Sequence, residues 1–179
     1  MSVPPFSQVA VKTIVVHTVT YFVVGILAFW LLDYPQQYAR PDMAGVMRQT
    51  SDPLVMAGPL FQPLRGLVFA LAIYPLREIV FTKPHGWLVL WWLFVALGIV
   101  STFGPAPGSI EGLIYTVISV PRQLLGLVEV LLQTLLLAFG VVYWVNHPEK
   151  RWLGRLMTVA FALVIFLPLV GLLARPRGV

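Results

Sequence analysis

The sequence contains no cysteine, and charged residues make up only 11% of its 179 positions. The missing cysteine excludes disulfide bridges, thiolate metal sites and a cysteine nucleophile. The scarcity of charge is untypical of soluble domains, in which about 25% of residues are charged. Apolar residues reach 59% of the chain, more than a domain of this size can cover with a polar shell. We therefore expect an integral membrane protein.

Sequence motifs for catalysis and for cofactor binding are also missing. The glycine-rich stretch 104–108 is not followed by the lysine of a phosphate-binding loop, and no serine-nucleophile signature occurs. The three histidines do not have the spacing of metal ligands. The twelve basic residues form no stripe that would favour nucleic acid. The sequence thus predicts no cofactor, no metal and no nucleic-acid partner.

Long apolar stretches predict an all-α, polytopic helical bundle that forms a single transmembrane domain. A bilayer core is crossed by about 20 helical residues at a rise of about 1.5 Å each. Tryptophans near the ends of several stretches agree with this, because indole rings favour the membrane interface. Five transmembrane helices are expected, at about 13–32, 60–81, 86–103, 124–145 and 156–174.

The connections between the five expected spans differ in length. Two are tight turns, whereas the loops 33–59 and 104–121 are long and fall on the same side of the membrane by simple alternation. In the second loop, apolar residues from Ile110 to Ile118 recur with helical spacing. Ser109 is suited to cap the helix and Pro121 to end it. We therefore predict a short amphipathic helix in the interface, on the side that is the better candidate for function.

We expect a protein of a prokaryotic inner membrane. The distribution of its basic residues favours a cytoplasmic N-terminus. With that orientation, one group of six lies inside: Lys12, Arg77, Lys83, Lys150, Arg151 and Arg155. The other group of six lies outside: Arg40, Arg48, Arg65, Arg122, Arg175 and Arg177. Arg65 and Arg122 are expected to be embedded rather than loop-borne. Without them the comparison favours the inside, as positive charge does in cytoplasmic loops.

Polar residues inside the spans form a candidate ligand-binding seam. A charge within the hydrocarbon core costs about 2.5–3.5 kcal/mol even on lenient scales, so Arg65 and Glu129 need partners, water or a function. Residues that share a helix face with them, or that belong to the long loop on the same side, could converge on one outward-opening pocket. The seam comprises Gln62, Arg65, Glu111, Tyr115, Arg122, Glu129 and Gln133.

Three interpretations of this seam remain open. In the first, Arg65 and Glu129 pair only to join two helices, because buried pairs often specify which helices meet. In the second, the seam holds an anionic headgroup or a carboxylate, which the planar guanidinium group grips in bidentate fashion. In the third, the seam is catalytic, with Glu129 or Glu111 as a base and Arg65 or Arg122 as the anion holder.

These interpretations correspond to three classes of function. We expect a non-enzymatic accessory subunit, or a lipid- or small-anion-binding unit, of a membrane complex. The alternatives are the substrate-binding component of a transporter and an intramembrane lipid-modifying enzyme. The expected partners are the bilayer, other membrane subunits or further copies of this chain, and an anionic lipid or carboxylate ligand.

Overall fold

The computed structural model describes residues 3–41, 43 and 45–174, so Arg175 and Arg177 lie outside the described residues. Every regular element in the described part is helical. In chain order the α-helices are α1 Phe6–Leu31, α2 Tyr34–Tyr38, α3 Pro53–Met56, α4 Gln62–Ile73, α5 Arg77–Thr82, α6 Gly86–Val95, α7 Ile110–Tyr115, α8 Val120–Asn146 and α9 Arg151–Leu173. Short 3₁₀ turns at Gly58–Phe61 and Tyr74–Leu76 flank α4, and a π-helical segment, Ala96–Val100, follows α6.

Within the described residues, three helices are long and apolar enough to cross a membrane: α1, α8 and α9. They coincide with the first, fourth and fifth expected spans, and each begins several residues earlier than the apolar pattern predicts. The earlier start of α8 includes Pro121 in its first turn. Proline is tolerated there because the first N–H groups of a helix have no intrahelical partner. The expectation that Pro121 ends a helix is therefore wrong.

The other two expected spans are interrupted helices. The run from Gly58 to Thr82 changes from α to 3₁₀ geometry around Pro75, which has no N–H for the helical ladder. The Arg77 guanidinium donates to the Tyr74 carbonyl oxygen at 3.1 Å beside this break. The run from Gly86 to Val100 is apolar but shorter than a full span. Both runs are continuous helical columns, although neither is a single long α-helix.

Helix α1 lies at the centre of the bundle and contacts α4, α8 and α9. Its apolar residues are distributed around the helix and are not confined to one face. Gly66 lets α4 approach closely, since a Cβ built there would lie 2.7 Å from the Ile14 Cα. At the end of the bundle with the tight turns, Lys12 Nζ donates to the Trp144 carbonyl oxygen at 2.7 Å and ties α1 to α8.

The loop 104–121 contains a shorter helix than its apolar pattern predicts. Ser109 does cap α7, and its hydroxyl accepts a hydrogen bond from Gly112 N–H at 2.9 Å. However, α7 ends at Tyr115, and Thr116 is extended. The buried amide of Gln123 explains the early end. It accepts from Gly108 N–H at 2.9 Å and donates to the Ile118 carbonyl oxygen at 2.8 Å, which holds the chain against α8 in a non-helical path.

Replacing Ser109 by Ala is expected to loosen this loop. The fully buried hydroxyl also donates to the Ala106 carbonyl oxygen at 2.7 Å, and loss of such a cap costs about 1 kcal/mol. Hydrogen exchange over residues 106–116 should become faster. Ser119→Ala is the matched control, because Ser119 precedes α8 without a side-chain cap. Equal exchange in the two variants would contradict the role of the cap.

Candidate functional site

The polar seam expected from the sequence is divided among separate cavities. Arg65 and Gln133 line one small cavity, whereas Glu129 lines a larger one and Arg122 a third. No ion pair joins Arg65 to Glu129 in the part of the chain that the structure describes. The charged residues of the seam therefore line three cavities, and those of Glu129 and Arg122 share Tyr34 and Tyr38 as lining residues.

The larger site, the tyrosine cavity, is defined by Tyr21, Tyr34, Tyr38 and Glu129. Its volume is about 500 Å³ and it lies at the end of the bundle that carries the long loops. Phe22 and Phe29 of α1 add further aromatic walls. Such a cavity, mostly apolar with a few convergent polar groups, is typical of small-molecule sites.

Glu129 is the acidic group of the tyrosine cavity. It is partly buried in α8, and its carboxylate accepts a hydrogen bond from the Tyr34 hydroxyl. Among the described residues this tyrosine is its one hydrogen-bond partner, and no cation forms an ion pair with it. A carboxylate in such surroundings favours a ligand that brings positive charge or a hydrogen-bond donor.

The tyrosines form a polar rim around this carboxylate. The rings of Tyr34 and Tyr38 stack with centroids 5.1 Å apart, because the two residues are one turn apart on α2. Burial, and to a lesser degree the neighbouring Tyr21, raise the pKa of the Tyr38 hydroxyl above its ordinary value. The hydroxyl therefore stays protonated at neutral pH and can donate a hydrogen bond.

The rest of the wall of the tyrosine cavity comes from α9 and the first long loop. Leu167 and Pro168 of α9 and Val55 and Met56 of α3 line it. Helix α9 is the most exposed of the three long helices, so this side of the cavity lies at the periphery of the bundle. A ligand can thus reach the carboxylate between α1 and α9.

Comparisons with protein-family models, with curated proteins and with solved structures find no match. The chemistry of the site therefore carries the functional argument. No group of three or more His, Asp or Glu that could hold a metal ion occurs among the residues described.

The second site, the arginine cavity, is defined by His17, Arg65, Gln133 and Thr134. Its volume is about 140 Å³, and it lies between α1, α4, α8 and the π-helical segment. The Arg65 guanidinium lies 5.5 Å from the centroid of the Phe69 ring, a cation–π distance. The two cavities are neighbours, since Tyr21 and Glu129 of the first lie one helical turn from His17 and Gln133 of the second.

Gln62, another member of the expected seam, contacts His17 of the arginine cavity. It is buried on α4, and its Oε1 lies 3.1 Å from His17 Nε2. Its Nε2 donates to the Gly58 carbonyl oxygen at 3.1 Å. Gln62 thus connects α4 to α1 and positions the His17 ring.

The remaining seam residues lie elsewhere. Arg122 lines the third cavity, together with Gln123 and residues of the first long loop. Glu111 and Tyr115 on α7 line none of the three cavities, and the Tyr115 side chain is 73% exposed.

Sequence reasoning did not include four residues that define these sites: His17, Tyr21, Tyr34 and Tyr38. A signal was present, since His17 and Tyr21 are four residues apart on one helix, and so are Tyr34 and Tyr38. Polar side chains of α1 bond both to a neighbouring helix, at His17, and to the backbone of α1 itself, where the Thr20 hydroxyl donates to the Val16 carbonyl oxygen at 2.8 Å.

Proposed function

We propose that this chain is a non-enzymatic ligand-binding unit of a membrane, and that its tyrosine cavity binds an amphiphile with a cationic headgroup. The observation that carries the proposal is the position of Glu129. Glu129 belongs to α8, a helix long enough to span a membrane, and its carboxylate lines a cavity with aromatic walls. Its hydrogen-bond donor is an uncharged residue, Tyr34. A positively charged headgroup would offset the cost of the buried negative charge.

The aromatic residues around Glu129 favour the same ligand class. Ammonium groups are attracted to the faces of aromatic rings, and cages of aromatic side chains are a common means of binding alkylated ammonium ions. The tyrosine cavity combines three such rings, from Tyr21, Tyr34 and Tyr38, with one carboxylate. The tyrosine hydroxyls add donors and acceptors for a primary amine or for a hydroxyl next to the ammonium group.

The apolar part of the ligand follows from the membrane setting. Our proposal includes five membrane crossings, in which the interrupted columns 58–82 and 86–100 complete a bundle with α1, α8 and α9. At the rise of an α-helix the first column is about 37 Å long, enough to cross the hydrocarbon core. The second column is shorter and crosses where the bilayer is locally thinner. The apolar side chains of α9 and α3 then face lipid at the mouth of the cavity. An alkyl chain can extend there while its headgroup reaches Glu129.

The separation of the charges favours this proposal over an anion site at Glu129 and over catalysis. An enzyme of the kind considered needs a carboxylate base beside an arginine that holds the anion. Arg65 and Arg122 line other cavities, and Glu111 lines neither of the two defined sites. Non-enzymatic binding uses the groups as they stand.

A photoaffinity experiment tests the proposal. The purified protein in lipid nanodiscs is exposed to a dodecylammonium probe with a diazirine in its alkyl chain, and cross-linked peptides are mapped by mass spectrometry. We expect labelling of α1, α3 and α9 around the tyrosine cavity, competed by unlabelled dodecylammonium. The matched control probes have the same alkyl chain with a hydroxyl or a carboxylate headgroup. Labelling of these segments that does not depend on the headgroup would overturn the proposal. Stronger labelling by the carboxylate probe would also overturn it, because the cavity would then prefer an anionic ligand.

A further inference from the structure

The arginine cavity is a small, mostly enclosed space next to the proposed ligand site, and its chemistry is different. At about 140 Å³ it accommodates four or five heavy atoms if each takes the roughly 30 Å³ of a water molecule. Phe69, Phe94 and Leu137 form its apolar walls, and Gly98 of the π-helical segment lines it as well. Single turns of π-helix are frequent at functional sites.

Arg65 gives this cavity a positive charge. Arg65 is an exposed residue of α4, no acid pairs with it among the described residues, and its guanidinium makes a cation–π interaction with the Phe69 ring. Such an interaction contributes about 0.5–2 kcal/mol, less than the cost of a guanidinium within a membrane. An anion in the cavity would supply the missing compensation, and the planar guanidinium group binds oxyanions through two parallel hydrogen bonds.

His17 adds a second requirement for the ligand. The bond from Gln62 Nε2 to the Gly58 carbonyl oxygen orients the amide so that its Oε1 faces the imidazole. A neutral His17 must then carry its proton on Nε2, which leaves Nδ1 as an acceptor. The ring is fully buried and lines the cavity, and its Nδ1 has no hydrogen-bond partner among the residues described. A ligand that satisfies this atom must donate a hydrogen bond.

The remaining polar groups of the cavity, Thr134 and Gln133, differ in the hydrogen bonds that they can make. The Thr134 hydroxyl donates to the Val130 carbonyl oxygen at 2.9 Å, so its lone pairs are the part offered to a ligand. Gln133 has both a donor and an acceptor. The cavity therefore combines strong donors at Arg65 with acceptors at His17 and Thr134.

From this arrangement we infer that the arginine cavity binds a small monovalent oxyanion that retains at least one hydroxyl, the chemical class of bicarbonate and dihydrogen phosphate. The negative oxygens accept from Arg65, while the hydroxyl donates to His17 Nδ1. Chloride has no proton to donate, and a phosphodiester headgroup has none either. The site is separate from the tyrosine cavity and does not depend on the function proposed for it.

The experiment uses the full chain in neutral detergent, with its histidines labelled with ¹⁵N. Sodium bicarbonate and inorganic phosphate are titrated separately at constant ionic strength, and chloride serves as the reference anion. We expect a saturable shift of the His17 Nδ1 resonance with bicarbonate or phosphate and none with chloride. His85 and His147 lie in the turns outside the cavity and should not respond saturably. An equal response to chloride, or no response to either oxyanion, would overturn the inference.

Variants of two arginines on the same helical column test the role of Arg65. Arg65→Leu should raise the dissociation constant of the oxyanion about tenfold or more. A change of this size is expected from the loss of one charge-assisted hydrogen bond. Arg65→Lys should recover part of the affinity. Arg77→Leu removes the same charge outside the cavity and should bind as the unaltered chain does. A response kept in Arg65→Leu would contradict the inference. So would a response that appears only with anionic phospholipid, which would assign Arg65 to a lipid phosphate.

Discussion

Replacing Glu129 by Gln is expected to weaken the binding of a dodecylammonium probe about 10- to 100-fold, equivalent to about 1.4–2.8 kcal/mol. The variant keeps the shape of the side chain and its ability to accept from the Tyr34 hydroxyl, but it removes the negative charge. Since the carboxylate is the acidic group of the tyrosine cavity, the electrostatic part of the affinity should be lost. Equilibrium binding of a tritiated probe to nanodisc-embedded protein measures the change.

A matched control separates this effect from a general change in surface charge. Glu149 is exposed in the turn between α8 and α9, at the opposite end of the bundle from the tyrosine cavity. Glu149→Gln removes the same charge and should leave probe affinity unchanged. Tyr34→Phe should give an intermediate loss, because one hydroxyl is removed while the ring remains. If Glu129→Gln and Glu149→Gln bind the probe equally well, the carboxylate has no part in recognition.

A substitution at Gly66 is expected to have a large effect on the packing of α4 against α1. A Cβ there would lie 2.7 Å from the Ile14 Cα and 3.4 Å from the Ile14 carbonyl oxygen, both backbone atoms that no rotamer change can move. Gly66→Val must therefore separate α4 from α1, and overpacking of this kind costs about 1–3 kcal/mol or more. We expect a lower melting temperature in detergent and a fraction of aggregated or expanded protein that elutes earlier in size-exclusion chromatography.

The control for this substitution is a glycine on a helix surface. A Cβ built on Gly171 in α9 meets no heavy atom within 4 Å. Gly171→Val should change the melting temperature far less than Gly66→Val does. Gly66→Ala should fall between them, because the added Cβ alone already makes the contact. Equal stability of the two valine variants would show that α1 and α4 do not depend on close approach at Gly66.

The two cavities share their helices. Tyr21 and His17 are one turn apart on α1, as Glu129 and Gln133 are on α8. The first member of each pair lines the tyrosine cavity and the second lines the arginine cavity. Displacement of α1 relative to α8 would therefore alter both sites together, since each site uses the same two helices.

The sequence was a good guide to the helical class and to the positions of the long helices. Hydrophobic runs of membrane length require internally hydrogen-bonded backbone, and α1, α8 and α9 follow from this requirement alone. The local cap at Ser109 was also predictable, because it depends on residues only three positions apart. The end of α7 was not predictable in this way, since it depends on Gln123, which belongs to the next helix.

The candidate site was predicted only in part. Arg65 and Glu129 stand out in the sequence because charge is costly in an apolar helix. Their partners cannot be inferred from spacing, which relates residues on one helix and says nothing about the rotation of another helix. Glu129 accepts a hydrogen bond from Tyr34, a residue of the first long loop. Arg65 makes a cation–π contact with Phe69 and lines a cavity together with His17.

The sequence by itself determined that this chain is built of apolar helices and that a few embedded polar residues need partners, because both follow from the cost of exposing polar groups to an apolar medium. Only the tertiary structure decided how those residues are grouped. In it α4 approaches α1 closely at Gly66, and Arg65 and Glu129 line different cavities with different neighbours. Such grouping depends on helix rotation and packing, which are set by contacts between residues distant in the sequence.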